Sequence, residues 1–149
     1  MHSMRSRFIL AFPFVLLAGV VLHGQDPVSS TLTITVENVR NSKGVVGVLV
    51  FNSQRGWPES VKAAILSKAV PAHPEVTTLV LGDLPVGDYA VVALHDENEN
   101  MKLDKNFIGV PREGWGMSKN PKARLSAPSF RQARFSLQQD SHLRIHLNY

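Results

Sequence analysis

The chain has 149 residues, of which 44% are hydrophobic and 19% are charged, a balance typical of one globular domain. It contains no cysteine, which excludes disulfide bonds as a source of stability. Setting aside Arg5 and Arg7, which belong to the leader described next, leaves 14 basic and 12 acidic residues. A net charge of +2 gives no support to nucleic-acid binding.

The first 24 residues have the pattern of a secretory signal peptide. Arg5 and Arg7 precede an uncharged apolar run from Phe8 to Leu22. A transmembrane anchor is the alternative, but a run of about 15 residues is shorter than the roughly 20 that a spanning helix needs. We therefore predict cleavage near Gly24 and a periplasmic or secreted protein that does not span the membrane after cleavage. Residues 25–149 then form a single domain.

The mature chain begins with two predicted strands. Residues 31–39 alternate strictly between apolar and polar side chains, which predicts a strand that buries one face. Turn-forming residues at 40–44 separate it from a second strand over 45–51, so we predict that the two strands form a hairpin. Gly47, inside the second strand, indicates a bulge or a close approach of another backbone.

The middle of the chain mixes one helix with strands. Pro58 lies near the start of a predicted two-turn helix, because apolar residues recur at helical spacing as far as Ile65. Strands are predicted at 76–81 and 89–94. The second of these is apolar on both faces, which places it in the centre of the fold.

A long connection with little periodicity follows at 109–128, and alternation returns at 133–137 and 143–147. About six or seven short strands with one helix and no βαβ rhythm predict an all-β fold. The fold class expected is an antiparallel Greek-key β-sandwich of about seven strands with one short helix.

The stretch at 96–104 has oxygen-bearing residues at alternate positions, as calcium loops do. A calcium ion needs several oxygens converging at about 2.3 to 2.6 Å, and alternating side chains with one backbone carbonyl can supply them. The candidate metal ligands are Asp96, Asn98, Asn100, Lys102 through its carbonyl, and Asp104. Calcium is the only cofactor that the sequence suggests.

Two residues depart from the calcium-loop pattern. Met101 stands where the sharp turn favours glycine, and Phe107 stands where a bidentate glutamate would complete the shell. The alternative is a metal-free turn, in which aspartate and asparagine side chains bond to nearby backbone groups at the end of a strand. Both interpretations stay open at this point.

The sequence gives little sign of an enzyme, and we predict no catalytic residue. The alternative is a hydrolase of cell-envelope glycans that uses Asp96 and Glu113 as its acid and base. His95 is interpreted as a hydrogen-bonded structural residue. Trp115 is interpreted as packing against the core, with an aromatic platform for a sugar or peptide as the alternative.

Specific motifs extend over most of the mature chain. They are Leu84-Pro85-x-Gly87-x-Tyr89, His95-Asp96-x-Asn98-x-Asn100, Lys102-Leu103-Asp104, Gly109, Pro111, Glu113, Gly116, Ser118-x-Asn120 and Phe130. The run resembles the bacterial secreted family catalogued as domain of unknown function 2141, which usually has glycine at the position of Met101. The resemblance implies an exported, transthyretin-like β-sandwich, and the family brings no established activity.

The leading hypothesis is an exported, non-enzymatic binding or accessory protein. Its partner would be an extracytoplasmic ligand, either a protein or a glycan. In this hypothesis the 96–104 turn holds calcium and shapes the neighbouring surface.

Overall fold

The computed structural model describes residues 29–122 and 126–149, so the predicted signal peptide at 1–24 lies outside the described residues. Within these residues, eight strands form two sheets, and one short helix lies between two of the strands along the chain. The elements are β1 (Ser29–Val39), β2 (Val45–Phe51), β3 (Leu66–Pro71), β4 (Glu75–Pro85), β5 (Gly87–Asp96), β6 (Gly114–Met117), α1 (Phe130–Ala133), β7 (Phe135–Leu137) and β8 (Ser141–His146). Among these residues no helix is both long and apolar enough to cross a bilayer.

The smaller sheet has the strand order β4-β1-β8, with β1 antiparallel to β4 and parallel to β8. The larger sheet has the order β3-β2-β5-β6, and β7 also pairs with β5. All pairs in the larger sheet are antiparallel. The predicted all-β sandwich with mostly antiparallel strands and one short helix is confirmed.

The core lies between the two sheets and follows the alternation seen in the sequence. Leu32, Ile34 and Val36 of β1 are fully buried, as are Val46 and Val50 of β2. Alternate residues of a strand point to opposite faces, so these side chains meet in one layer. The β5 strand is buried on both faces for much of its length, which confirms its predicted central place.

The predicted hairpin of the first two strands is wrong, because β1 and β2 lie in different sheets. The 40–44 turn carries the chain from one sheet to the other, and the Gly44 carbonyl accepts the Ala72 N–H at 3.1 Å. The predicted irregularity at Gly47 is also wrong. Gly47 pairs in regular register with Ala69 on one side and Leu94 on the other.

The predicted helix at 58–65 is wrong as well, and α1 is the one short helix within the described residues. Isolated turns occupy this stretch, in which Ser60 N–H donates to the Gly56 carbonyl and Ala64 N–H donates to Ser60. Ile65 N–H then donates to the Val50 carbonyl at 2.8 Å. This hydrogen bond begins the pairing with β2 that continues along β3, so the chain at Ile65 is extended and not helical.

Two strands, β3 and β6, were not predicted, and one predicted strand begins later than expected. The β3 strand could not be predicted, because its mostly exposed residues lack a clear alternation. The long connection at 109–128 contains β6. The strand expected over 133–137 begins later, because Ala133 is the last residue of α1.

Candidate functional site

The loop at 96–104 leaves the end of β5 and is held by the Asp96 carboxylate. Asp96 is buried, its Oδ1 accepts the Asn100 N–H at 3.2 Å, and its Oδ2 accepts the Met101 N–H at 2.7 Å. Met101 adopts the left-handed conformation with φ of 61°. A side chain at such a φ costs on the order of 1 kcal/mol, which the bonds to Asp96 offset.

The polar side chains of the loop converge on Asp104. Its Oδ2 accepts from Asn98 Nδ2 at 2.7 Å, and its Oδ1 accepts from Asn100 Nδ2 at 3.0 Å. Each asparagine also closes a local turn, since Asn98 Oδ1 accepts the Asn100 N–H and Asn100 Oδ1 accepts the Lys102 N–H. Three of the five predicted ligands, Asn98, Asn100 and Asp104, therefore meet through side-chain atoms. The Asp96 carboxylate binds backbone N–H groups of the loop, and Lys102 takes part through its N–H and not through the predicted carbonyl.

Glu113 joins the two ends of this loop, a role that spacing alone did not indicate. It is 5% exposed, its Oε1 accepts the Glu97 N–H and its Oε2 accepts the Asp104 N–H, both at 3.0 Å. Asp96 is likewise buried with both oxygens accepting backbone N–H groups. No observation therefore favours these two carboxylates as an acid and base pair, and the glycan hydrolase remains an untested prediction.

His95 is fully buried beneath the loop. Its Nε2 lies 2.9 Å from the Lys43 carbonyl oxygen and its Nδ1 lies 2.8 Å from the Tyr149 hydroxyl. A carbonyl only accepts, so Nε2 carries the proton and Nδ1 accepts from Tyr149. The same hydroxyl accepts the Arg40 N–H at 3.0 Å. The geometry agrees with a structural role for His95.

A charged pair flanks this histidine. The Arg40 guanidinium lies 4.5 Å from the centre of the Tyr149 ring and forms an ion pair with Glu97. Burial alone would raise the pKa of Glu97, but hydrogen bonds from Asn41 and Arg40 and the charge of Arg40 outweigh it and lower that pKa. Glu97 therefore stays ionised and fixes the Arg40 side chain at the base of the loop.

The donor set limits which metal the loop could hold. Within residues 29–122 and 126–149, no group of three or more His, Cys, Asp or Glu side chains is placed to hold a metal ion. A site here would therefore rely on amide and backbone oxygens beside Asp96 and Asp104. Such oxygen donors suit calcium and do not suit zinc or copper.

A second feature is a groove on the outer face of the larger sheet. Regular register aligns Ala69, Gly47, Leu94 and Trp115 in one row across four strands. A parallel row contains Ser67, Leu49, Val92 and Met117. These two rows form the floor of the groove, so one apolar surface of this sheet faces away from the core.

The loop that follows the candidate site covers this floor. Met101, Leu103, Ile108 and Val110 line the groove from above, and Pro58 and Val61 form its opposite wall. An ion pair of 2.9 Å between Lys105 and Glu59 joins the loop to that wall. The cavity has a volume of about 800 Å³ and is mostly apolar, and known small-molecule pockets measure about 300 to 1,000 Å³.

The far end of the same face is closed by aromatic packing. The rings of Phe51 and Trp57 lie 5.3 Å apart, those of Trp57 and Phe130 lie 5.9 Å apart, and Trp57 Nε1 donates to the Pro128 carbonyl at 2.9 Å. Trp115 is half-buried on the groove floor beside this cluster. It packs against the protein, as predicted, and it also lines the cavity.

The groove was missed at the level of sequence. The signal was present, because β2 and β5 carry apolar residues at both inward and outward positions. In the sequence, this pattern was interpreted only as a central strand covered on both sides. A covered face and an open binding face have the same composition, so only the tertiary structure separates them.

The family model described as an uncharacterized protein conserved in bacteria, DUF2141, matches residues 34–145. The chain belongs to this family. The match extends from β1 to β8 and includes both the 96–104 loop and the groove, which confirms the resemblance. No curated protein and no solved structure matches the chain significantly. Since the DUF2141 description names neither a ligand nor a reaction, the function has to be argued from the geometry.

Proposed function

We propose that this DUF2141 protein is an exported, non-enzymatic binding protein whose ligand site is the groove on the larger sheet. The single observation that carries the proposal is the apolar cavity of about 800 Å³ between the sheet and the 101–111 loop. An apolar surface of this size is unfavourable in water, so a ligand that covers it gains binding free energy.

The proposed ligand is an acidic amphiphile, such as a long-chain carboxylate, whose apolar chain would lie in the groove. The two rows of the floor are apolar apart from Ser67, which suits an acyl chain. Lys102 lies at the rim and forms no ion pair within the described part of the chain. Its ammonium group would attract an acidic head group at that end of the groove.

Filling the groove floor tests the proposal. A Cβ at Gly47 would lie 3.9 Å from both the Ala69 Cβ and the Lys68 carbonyl oxygen, which is ordinary contact. Gly47→Phe should therefore fold and project its ring into the groove. We expect it to weaken binding of dansyl-undecanoic acid at least about tenfold. The probe would have to displace the phenyl ring from the groove, and burial of such a ring is worth roughly 1.5 to 3 kcal/mol. The readout is dansyl emission on excitation of the two tryptophans, Trp57 and Trp115.

Gly82→Phe provides the matched control. Gly82 lies in β4 of the smaller sheet, and a Cβ there would meet no atom within 4 Å. This variant should bind the dansyl probe as the unchanged protein does. Equal affinity of the Gly47→Phe variant and the unchanged protein would rule out the groove as the site.

We also propose that the 96–104 loop binds calcium and thereby fixes one wall of the groove. In support, the Asn98 and Asn100 side chains lie next to the Asp104 carboxylate, to which their amide nitrogens donate at 2.7 and 3.0 Å. Binding of the ion would replace these two bonds, with the amide groups turned so that their oxygens face the ion. A loop with few carboxylates belongs to the weak extracellular class, so a dissociation constant of about 10⁻⁴ M is expected. Calcium would be structural and would take no part in chemistry.

The calcium proposal predicts a thermal shift. At about 1 mM calcium, mass action adds about 1.4 kcal/mol, which raises the melting temperature by about 5 °C for a domain of this size. Asp104→Asn should abolish most of this shift. Asp83→Asn, which makes the same change at an exposed carboxylate of β4, should keep it. A melting temperature of the unchanged protein that does not respond to calcium would refute the proposal.

A further inference from the structure

The segment Lys105–Arg112, which we call the tip, carries three largely exposed apolar side chains, of which Ile108 and Val110 also line the groove. Phe107 is 99% exposed, Ile108 is 69% exposed and Val110 is 50% exposed. A phenylalanine that is completely exposed adds nothing to the stability of the core. Contiguous exposed apolar side chains of this kind mark surfaces that contact a membrane or another protein.

The backbone of the tip is already organised. Asn106 N–H donates to the Val110 carbonyl at 2.8 Å, and Gly109 N–H donates back to the Asn106 carbonyl at 2.9 Å. Asn106 Oδ1 accepts the N–H groups of Ile108 and Val110. Lys105 and Pro111 pair at the base of the turn. Insertion of this turn among lipid chains would therefore leave few backbone groups to be desolvated without a partner.

The tip itself carries only positive charges. The eight residues from Lys105 to Arg112 contain two cations and no carboxylate. Lys43, Lys105 and Arg112 also line one polar cavity of about 400 Å³ at the base of the tip. Lys43 and Arg112 form no ion pair within the part of the chain that the structure describes.

The carboxylates that line the same cavity are already engaged. Glu97 pairs with Arg40, Asp104 accepts from two asparagine amides, and Glu113 accepts from two backbone N–H groups. Among the described residues, Lys43 and Arg112 are thus left without an ion pair beside the apolar apex, whereas Lys105 is paired with the exposed Glu59. Anionic headgroups and the acyl chains beneath them complement that arrangement.

We infer that the tip docks the protein on a phospholipid bilayer with anionic headgroups, with Phe107 inserted below the headgroups and Lys105 and Arg112 at their level. This docking goes beyond the proposed ligand binding and does not depend on it. Phe107 does not line the groove. The docking site and the ligand site can therefore be disabled separately.

Sedimentation with vesicles tests the inference. The mature protein should bind vesicles of phosphatidylcholine with 30 mol% phosphatidylglycerol, and should bind pure phosphatidylcholine vesicles much more weakly. Phe107→Ser should reduce the partition coefficient about tenfold, because it removes the inserted side chain. Arg112→Gln should reduce it about fivefold and weaken its dependence on salt.

Val80→Ser is the matched control, since Val80 is 50% exposed on β4 of the other sheet. It should leave vesicle binding unchanged, and urea unfolding should show that all variants are folded. The Phe107→Ser variant should still bind dansyl-undecanoic acid, and Gly47→Phe should still bind vesicles. Equal binding of both vesicle types by the unchanged protein, or full binding by Phe107→Ser, would overturn the inference.

Discussion

The Gly44→Ala variant is expected to lose at least about 2 kcal/mol of unfolding free energy. Gly44 has φ of 64°, and a Cβ there would lie 2.0 Å from the Asp96 carbonyl oxygen and 2.8 Å from the Glu97 Cα. The left-handed conformation costs an alanine roughly 1 to 2 kcal/mol, and overpacking against backbone costs a further 1 to 3 kcal/mol. The 40–44 turn would have to move away from the end of β5.

Urea unfolding followed by tryptophan fluorescence measures this loss. Gly109→Ala separates its two causes, because Gly109 also has a positive φ of 85° but a Cβ there would meet no atom within 4 Å. That variant should lose only about 1 kcal/mol, the cost of conformation alone. Similar losses for the two variants would show that the close packing of the 40–44 turn against β5 is unimportant.

The strand content of the fold could be predicted from the sequence because each strand obeys a local rule. The period of two in β1 put Leu32, Ile34 and Val36 on one buried face, and the apolar character of β5 placed it centrally. These signals depend only on neighbours within the same strand.

The pairing of the strands could not be predicted in the same way. A turn such as 40–44 has the same composition whether it closes a hairpin or crosses to the opposite sheet. The residues up to Ile65 have helical spacing, yet Ile65 pairs with Val50, which lies 15 positions away along the chain. Tertiary pairing outweighs the weak helix preference of a short segment.

The candidate site also combines features that follow from one segment of the sequence with features that depend on tertiary contacts. Alternation at 96–104 points to one polar loop, in which Asn98 and Asn100 donate to Asp104 and Asp96 accepts from the loop backbone. The alternation did not identify Glu113, because this residue lies outside the 96–104 loop, directly before β6. The groove floor likewise combines four strands, and no single one of them contains the signal for it.

Glu113→Ala is expected to destabilise the protein by about 2 to 4 kcal/mol and to release the 96–104 loop. The substitution leaves the N–H groups of Glu97 and Asp104 without their acceptor in a buried place. Hydrogen bonds to a charged group contribute roughly 1.5 to 3 kcal/mol each, and water that enters the space recovers part of the loss. Hydrogen exchange should show faster exchange at these two amides.

Two further variants make this prediction specific. Glu113→Gln keeps one acceptor oxygen and turns an NH₂ group towards the other N–H, so about half of the loss is expected. Glu99→Ala removes an exposed carboxylate from the same loop and should change stability by less than about 0.5 kcal/mol. Because the loop continues into the groove wall and the tip, Glu113→Ala should also weaken probe and vesicle binding together. A Glu113→Ala protein as stable as the Glu99→Ala protein would show that the loop holds its shape without this carboxylate.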